Sequence, residues 1–155
     1  MYRPSWVDYY LGLAKVISRR SHDIHTKHGC VITDRENRII GSGYNGFPKG
    51  LPDDILPLDR PDKYDWMEHS EQNALANCVL RPDDGIAYVT GQCCNRCIRS
   101  LWQNGVKEVY MIDSHGTHLF DDKQQKLFDT FIELSGMKIH YVTPELDWIK
   151  DILGI

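Results

Sequence analysis

Apolar residues first recur at helical spacing. Trp6, Tyr9, Tyr10, Leu13, Val16 and Ile17 share one face of residues 5–19, with Ser5 after Pro4 as a suitable N-cap. The period then changes. Two β-rich runs, residues 30–33 and 38–43, flank Asp34-Arg35-Glu36-Asn37 and predict a hairpin. Residues 46–65 carry four of the seven prolines and read as a long irregular loop, a length that in compact domains points to function. Beyond it the pattern predicts a helix over 66–79, a strand over 85–90 and a helix over 94–103 stopped by Asn104-Gly105. A strand over 106–112, an amphipathic helix over 119–134 closed by Ser135-Gly136, and a last strand over 137–142 complete the series. Strands separated by helices of this length imply parallel crossovers and an α/β/α layered sheet. No repeat, linker or low-complexity tract divides residues 1–155, so one domain is expected.

Composition narrows the partners. The chain of 155 residues is 41% hydrophobic and 26% charged, with a formal net charge of -4. That balance argues against a partner such as a nucleic-acid polymer or membrane surface held by a broad basic field. Arg19-Arg20 and Lys27 form only a local basic cluster, suited to one small phosphate. No apolar run is long enough for a membrane span, and the first twenty residues have no signal-peptide profile, so a cytoplasmic location is the expectation. Five cysteines, an odd number, then favour metal or thiol chemistry over a disulfide framework.

Three of those cysteines fall in Gly91-Gln92-Cys93-Cys94-Asn95-Arg96-Cys97. Cys94 and Cys97 are three apart, share a helical face and can reach one ion. Read alone, this C-x-x-C is equally a redox pair. His69-Ser70-Glu71 opens another predicted helix and supplies the missing donor. One His and two Cys are a suitable set for a catalytic zinc that keeps an open position. Glu71, two residues from His69, leaves the helix at a different angle and suits proton transfer rather than ligation. Cys30 and Cys78 occupy apolar positions of a strand and a helix and read as small core residues.

H-x-E…P-C-x-x-C is the general zinc-deaminase signature. More closely, RSHDIHTKHGCVI, GYNGFPKGLPDD, KYDWMEHSEQNALANC, AYVTGQCCNRC and GVKEVYMI resemble the deoxycytidylate (dCMP) deaminase family over almost the whole chain. The resemblance implies a cytidine-deaminase-like three-layer α/β/α fold with a mixed five-stranded sheet. It implies His69, Cys94 and Cys97 as zinc ligands and Glu71 as proton shuttle in the hydrolysis of dCMP to dUMP and ammonia, a step that supplies the dTMP precursor in pyrimidine nucleotide biosynthesis. A deaminase of dCTP or of a modified dCMP on the same fold is the alternative. Asn45 matches the family's sugar-contacting asparagine. The loop over residues 21–28 is the candidate phosphate and base pocket, with Ser21, Lys27 and His28 in it, although Lys27 reads equally as a solvated surface lysine.

Similar enzymes are often hexamers activated by dCTP and inhibited by dTTP, with Mg2+ on the triphosphate. The resemblance places such effectors on Tyr44, Gly46, Phe47, Asp53 and Asp54, where glycines permit close approach and aspartates can organise a hydrated cation. The chain also departs from the family. Ser70 replaces an alanine, a change expected to face away from the metal, and Cys93 replaces a proline, as a bystander close enough to be oxidised or to misligate. His28 replaces a valine expected under the base, and His115 stands where a gating tyrosine is usual.

Overall fold

The computed structural model describes residues 2–114 and 120–154. His115 and the predicted first residue of the fourth helix, Leu119, lie outside the described residues. Helix α1, Trp6–Ser18, is capped by the Ser5 hydroxyl, which accepts from the Asp8 N–H. Strands β1, Gly29–Thr33, and β2, Ile39–Tyr44, form the hairpin, with Asn37 at φ 62° in its turn. Helix α2 is Ser70–Ala76, β3 is Gly85–Val89, α3 is Asn95–Gln103 and β4 is Val106–Ile112. Helix α4, Asp122–Ser135, ends on Gly136 at φ 72°, and β5 is Lys138–Val142.

The strands make one five-stranded sheet in the order β2-β1-β3-β4-β5. β1 runs antiparallel to β2 and β3, whereas β3, β4 and β5 are parallel, so the sheet is mixed. Alternation along β1 assigns its two faces. Val31 packs with Tyr10, Leu11 and Ala14 of α1, and Cys30 and Ile32 pack with Ala74 of α2 and Ile98 and Leu101 of α3. Burial of these apolar side chains supplies the main driving force for the layering. A Cβ at Gly43 would lie 2.4 Å from the backbone nitrogen of Ala74, so glycine there lets α2 seat directly on β2.

Two expectations are corrected. The helix predicted over 66–79 begins only at Ser70, because Glu68 exchanges both backbone hydrogen bonds with Gly46 and cannot enter a helix. The chain before it forms a 3-10 turn, Asp62–Asp65. A fifth helix, α5, Asp147–Leu153, was not expected. Its apolar residues Trp148, Ile149, Ile152 and Leu153 fall at helical spacing, but Ile152 and Leu153 are exposed, and its anchor is Trp148 packed over Gly12 of α1.

Candidate active site

The site lies at the carboxyl ends of the parallel strands β3 and β4, where the sheet changes direction against β1. His69 and Cys94 occupy equivalent positions, each the extended-backbone N-cap of a helix, α2 and α3 respectively. Cys97 sits one turn into α3 and donates its backbone N–H to Cys94 Sγ at 3.4 Å. His69 Nδ1 lies 3.5 Å from Cys94 Sγ and 3.3 Å from Cys97 Sγ. The three donor atoms all fall within 4.8 Å of one another, the one such cluster among the described residues.

This crowding sets the protonation states. A hydrogen bond from the Cys97 thiol, helped by His69 and the Cys97 N–H, outweighs burial and lowers Cys94 to about 4. Cys97 is correspondingly raised, by that same bond and by burial. The hydrogen bond to Cys94 also raises His69, against the effect of burial. The helix dipole at the N-terminus of α3 favours the thiolate form of Cys94 in the same direction.

A cavity of about 780 Å³ opens beside the cluster, lined by Glu71, His69, Cys94, His28 and Asn45 among others. Glu71 is 4% exposed. The Ser70 hydroxyl donates to Glu71 Oε1 at 2.6 Å. Ser70 thus contacts the carboxylate and none of the three metal donors. His28 is lowered by burial, which outweighs the opposing pull of the Glu71 charge.

The other expected residues divide. Asn45 lines the cavity, but its amide is already engaged: Oδ1 accepts from the His28 N–H at 2.8 Å and Nδ2 donates to the Thr26 carbonyl at 2.9 Å. Ser21 and Lys27 do not line the cavity. The Ser21 hydroxyl donates to the Asn45 carbonyl at 2.8 Å, and Lys27 Nζ donates to the Ser21 carbonyl. Both act as struts of the 21–28 loop. Cys93 is fully buried, with its thiol raised well above the usual range by desolvation and its N–H on Met111 Sδ at 3.2 Å. Cys93 is close to the site, as expected of it, with its thiol against Glu71, but its complete burial shields it from oxidants in solution. Cys30 is fully buried as expected, and Cys78 only partly.

None of the five residues considered for effectors lines this cavity. Phe47 packs edge-on against His22 at 4.5 Å, Gly46 pairs with Glu68, Asp53 approaches His22 at 3.9 Å, and Arg20 lies over the Tyr44 ring. Asp54 is exposed.

Sequence reasoning missed the cavity's cations. Lys15 and Arg60 line it, as does Lys63, whose Nζ donates to Asp23 Oδ2 at 2.8 Å with both side chains nearly inaccessible. Forty positions separate this pair, and no local pattern announces it.

Residues 4–113 match the family described as "Cytidine and deoxycytidylate deaminase zinc-binding region", a span that includes every donor of the cluster and Glu71. The chain belongs to that family. It is 40% identical over 124 residues to a Caenorhabditis elegans protein named "Probable deoxycytidylate deaminase", covering 76% of this chain and 62% of that protein. It is 32% identical over 148 residues to the mouse (Mus musculus) deoxycytidylate deaminase, covering 90% of this chain and 81% of that one. The chain therefore spans less than two thirds of the nematode relative. The fold of a cyanophage S-TIM5 dCMP deaminase, solved in complex with dCMP and dUMP, is similar, with a TM-score of 0.72 at 23% identity over 92% of this chain and all of that one.

The donors of this deaminase-family chain fit the family's zinc. Tetrahedral bonds to one thiolate sulfur and one imidazole nitrogen at usual zinc distances put those atoms about 3.5 Å apart. The two N···S separations here, 3.5 and 3.3 Å, meet that requirement. Glu71 is outside the donor cluster, leaving three protein ligands, the set of a catalytic rather than a structural zinc.

Proposed function

We propose that this chain, acting as one domain, hydrolyses dCMP to dUMP and ammonia. The observation that carries the reading is a three-donor zinc site with a buried, unligated carboxylate, Glu71, in the same cavity. The names of the nematode and mouse relatives support the nucleotide class. When bound at His69, Cys94 and Cys97, zinc acidifies water so that a nucleophile is available near neutral pH. Glu71 takes the proton released as water adds to C4, delivers it to N3, and then carries the C4 hydroxyl proton to the amine as the C4–N bond breaks and the C4 carbonyl forms. Ser70 orients the Glu71 carboxylate through its hydroxyl.

Lys15 and Arg60 bring positive charge to the cavity and serve the 5′-phosphate, a role the sequence suggested for Lys27. Asn45 meets the sugar with the Oδ1 capacity that its bond to His28 leaves over. Regulation by dCTP and dTTP with Mg2+ belongs to the flank of Tyr44, Gly46, Phe47, Asp53 and Asp54, in a hexamer working in the cytoplasm on the route to dTMP. Among the described residues no helix is long and apolar enough to cross a membrane.

The test is ammonia release from dCMP and dCTP by zinc-replete protein, each with and without dTTP. Turnover of dCMP is expected. Turnover of dCTP alone would move the reading to the triphosphate, and no turnover of either would overturn it.

A further inference from the structure

The imidazole of His28 is seated against the end of β3 by two neighbours. Thr90 Oγ1 lies 3.2 Å from its Nδ1. A Cβ at residue 91 would come within 2.9 Å of its Cε1, so glycine there admits the ring. The backbone of His28 is fixed as well, its N–H on Asn45 Oδ1 at 2.8 Å and its carbonyl accepting from the Asn45 N–H at 3.3 Å. With its Nδ1–Cε1 edge against β3, the side chain lines the cavity together with Glu71 and His69.

The hydroxyl of Thr90 favours one of the two ring tautomers. That oxygen already accepts from the Gly29 N–H at 3.1 Å, and Thr90 is only 7% exposed. Its own proton needs an acceptor, since a buried hydroxyl left without one is costly. Among the described residues the acceptor in reach is His28 Nδ1. A Thr90 O–H donating to Nδ1 leaves the proton of the neutral ring on Nε2. Nε2 has no partner among the described residues and is not a buried atom left unpaired, so it opens on the cavity.

Resting on the cytosine-nucleotide reading above, we propose that His28 is a specificity-determining residue whose Nε2–H donates a hydrogen bond to an acceptor oxygen of the bound nucleotide. The oxygen is either the ring carbonyl or a phosphate oxygen. The valine that the resemblance puts at this position would offer only a van der Waals surface.

Two measurements test this on the zinc-loaded protein. Nitrogen-15 NMR of the histidine rings is expected to show Nε2 of His28 protonated and Nδ1 bare; the reverse tautomer overturns the proposal. In kinetics, His28→Val is expected to lower kcat/KM for dCMP about tenfold, and His28→Gln, which keeps a donor, to recover part of it. The loss is expected to vanish for one analogue: for 2-thio-dCMP if the ring carbonyl is the acceptor, or for deoxycytidine if the phosphate is. An equal loss on all three substrates would mean a merely structural role, and no loss on any would mean no contact; either overturns the proposal. If wild-type protein turns over no cytosine nucleotide, the deaminase reading fails and takes this proposal with it. Wild-type turnover with an unaffected His28→Val sinks the proposal alone.

Discussion

Glu71 and Arg60 separate two things a single residue can do in this cavity. Glu71 is not among the donor cluster, so replacing it by Gln preserves the metal site while removing the proton carrier. Glu71→Gln is expected to retain zinc by elemental analysis and to lose about 10²- to 10⁴-fold in kcat, the range for general acid–base groups. Retained turnover would put the proton on another group. Arg60 lies at the cavity wall with one Nη on Thr26 Oγ1 at 2.9 Å. Arg60→Ala is expected to raise KM for dCMP by about tenfold with little effect on deoxycytidine, because only the nucleotide carries the phosphate that a guanidinium recognises. An equal effect on both substrates would assign Arg60 to loop structure instead.

At the scale of elements, the Asp23–Lys63 pair ties the 21–28 loop to the 3-10 turn Asp62–Asp65. Asp23 also accepts from the N–H groups of His25 and Thr26. Burial alone would raise its carboxyl, but the Lys63 bond and these backbone donors prevail and hold it below the usual value. The stabilisation is therefore fully present above the unfolded carboxylate pKa of about 3.9 and is lost as pH falls through the lower folded value. Lys63→Met leaves a buried carboxylate without its partner and is expected to cost about 3–5 kcal/mol in urea unfolding at pH 7. The double variant Asp23→Leu/Lys63→Met is expected to recover much of that loss. A cost below about 1 kcal/mol for the single variant would show that water reaches the pair.

For the whole molecule, the metal donors come from two helices that begin on different strand connections, α2 and α3, so a bound ion cross-links them. Binding to the native state alone stabilises it by about 2.7 kcal/mol at a hundredfold excess over Kd. For a chain of this size, chelation is then expected to lower Tm by about 5–10 °C and abolish turnover, with added zinc restoring both. Cys97→Ser is expected to remove the metal response. An unchanged Tm on chelation, with zinc demonstrably removed, would mean that the helices are fixed by their apolar contacts with the sheet alone.

Local chemistry made much of this protein legible along the chain. Helical and strand periods located α1, the hairpin, β3, α3 and β4, although Trp6, Tyr9 and Val16 of the expected α1 face are exposed and Leu11 and Ala14 are buried in their place, and short-range motifs named His69, Glu71, Cys94 and Cys97. Where a boundary depended on a distant partner, sequence failed. The bridge between Gly46 and Glu68 shortened α2, and Trp148 settling on Gly12 anchors α5, a helix of only seven residues. The same limit applied within the site. Lys27 carried the obvious charge, yet its amine turned to the Ser21 carbonyl, while Lys15, Arg60 and Lys63 reached the cavity from two other segments. Thr90 gave His28 its ring orientation across sixty-two positions. Ligand identity is set by side-chain chemistry and short spacing, which a sequence displays directly. Charge pairing, tautomer and access are set by which segments meet, and only the tertiary structure brings those together.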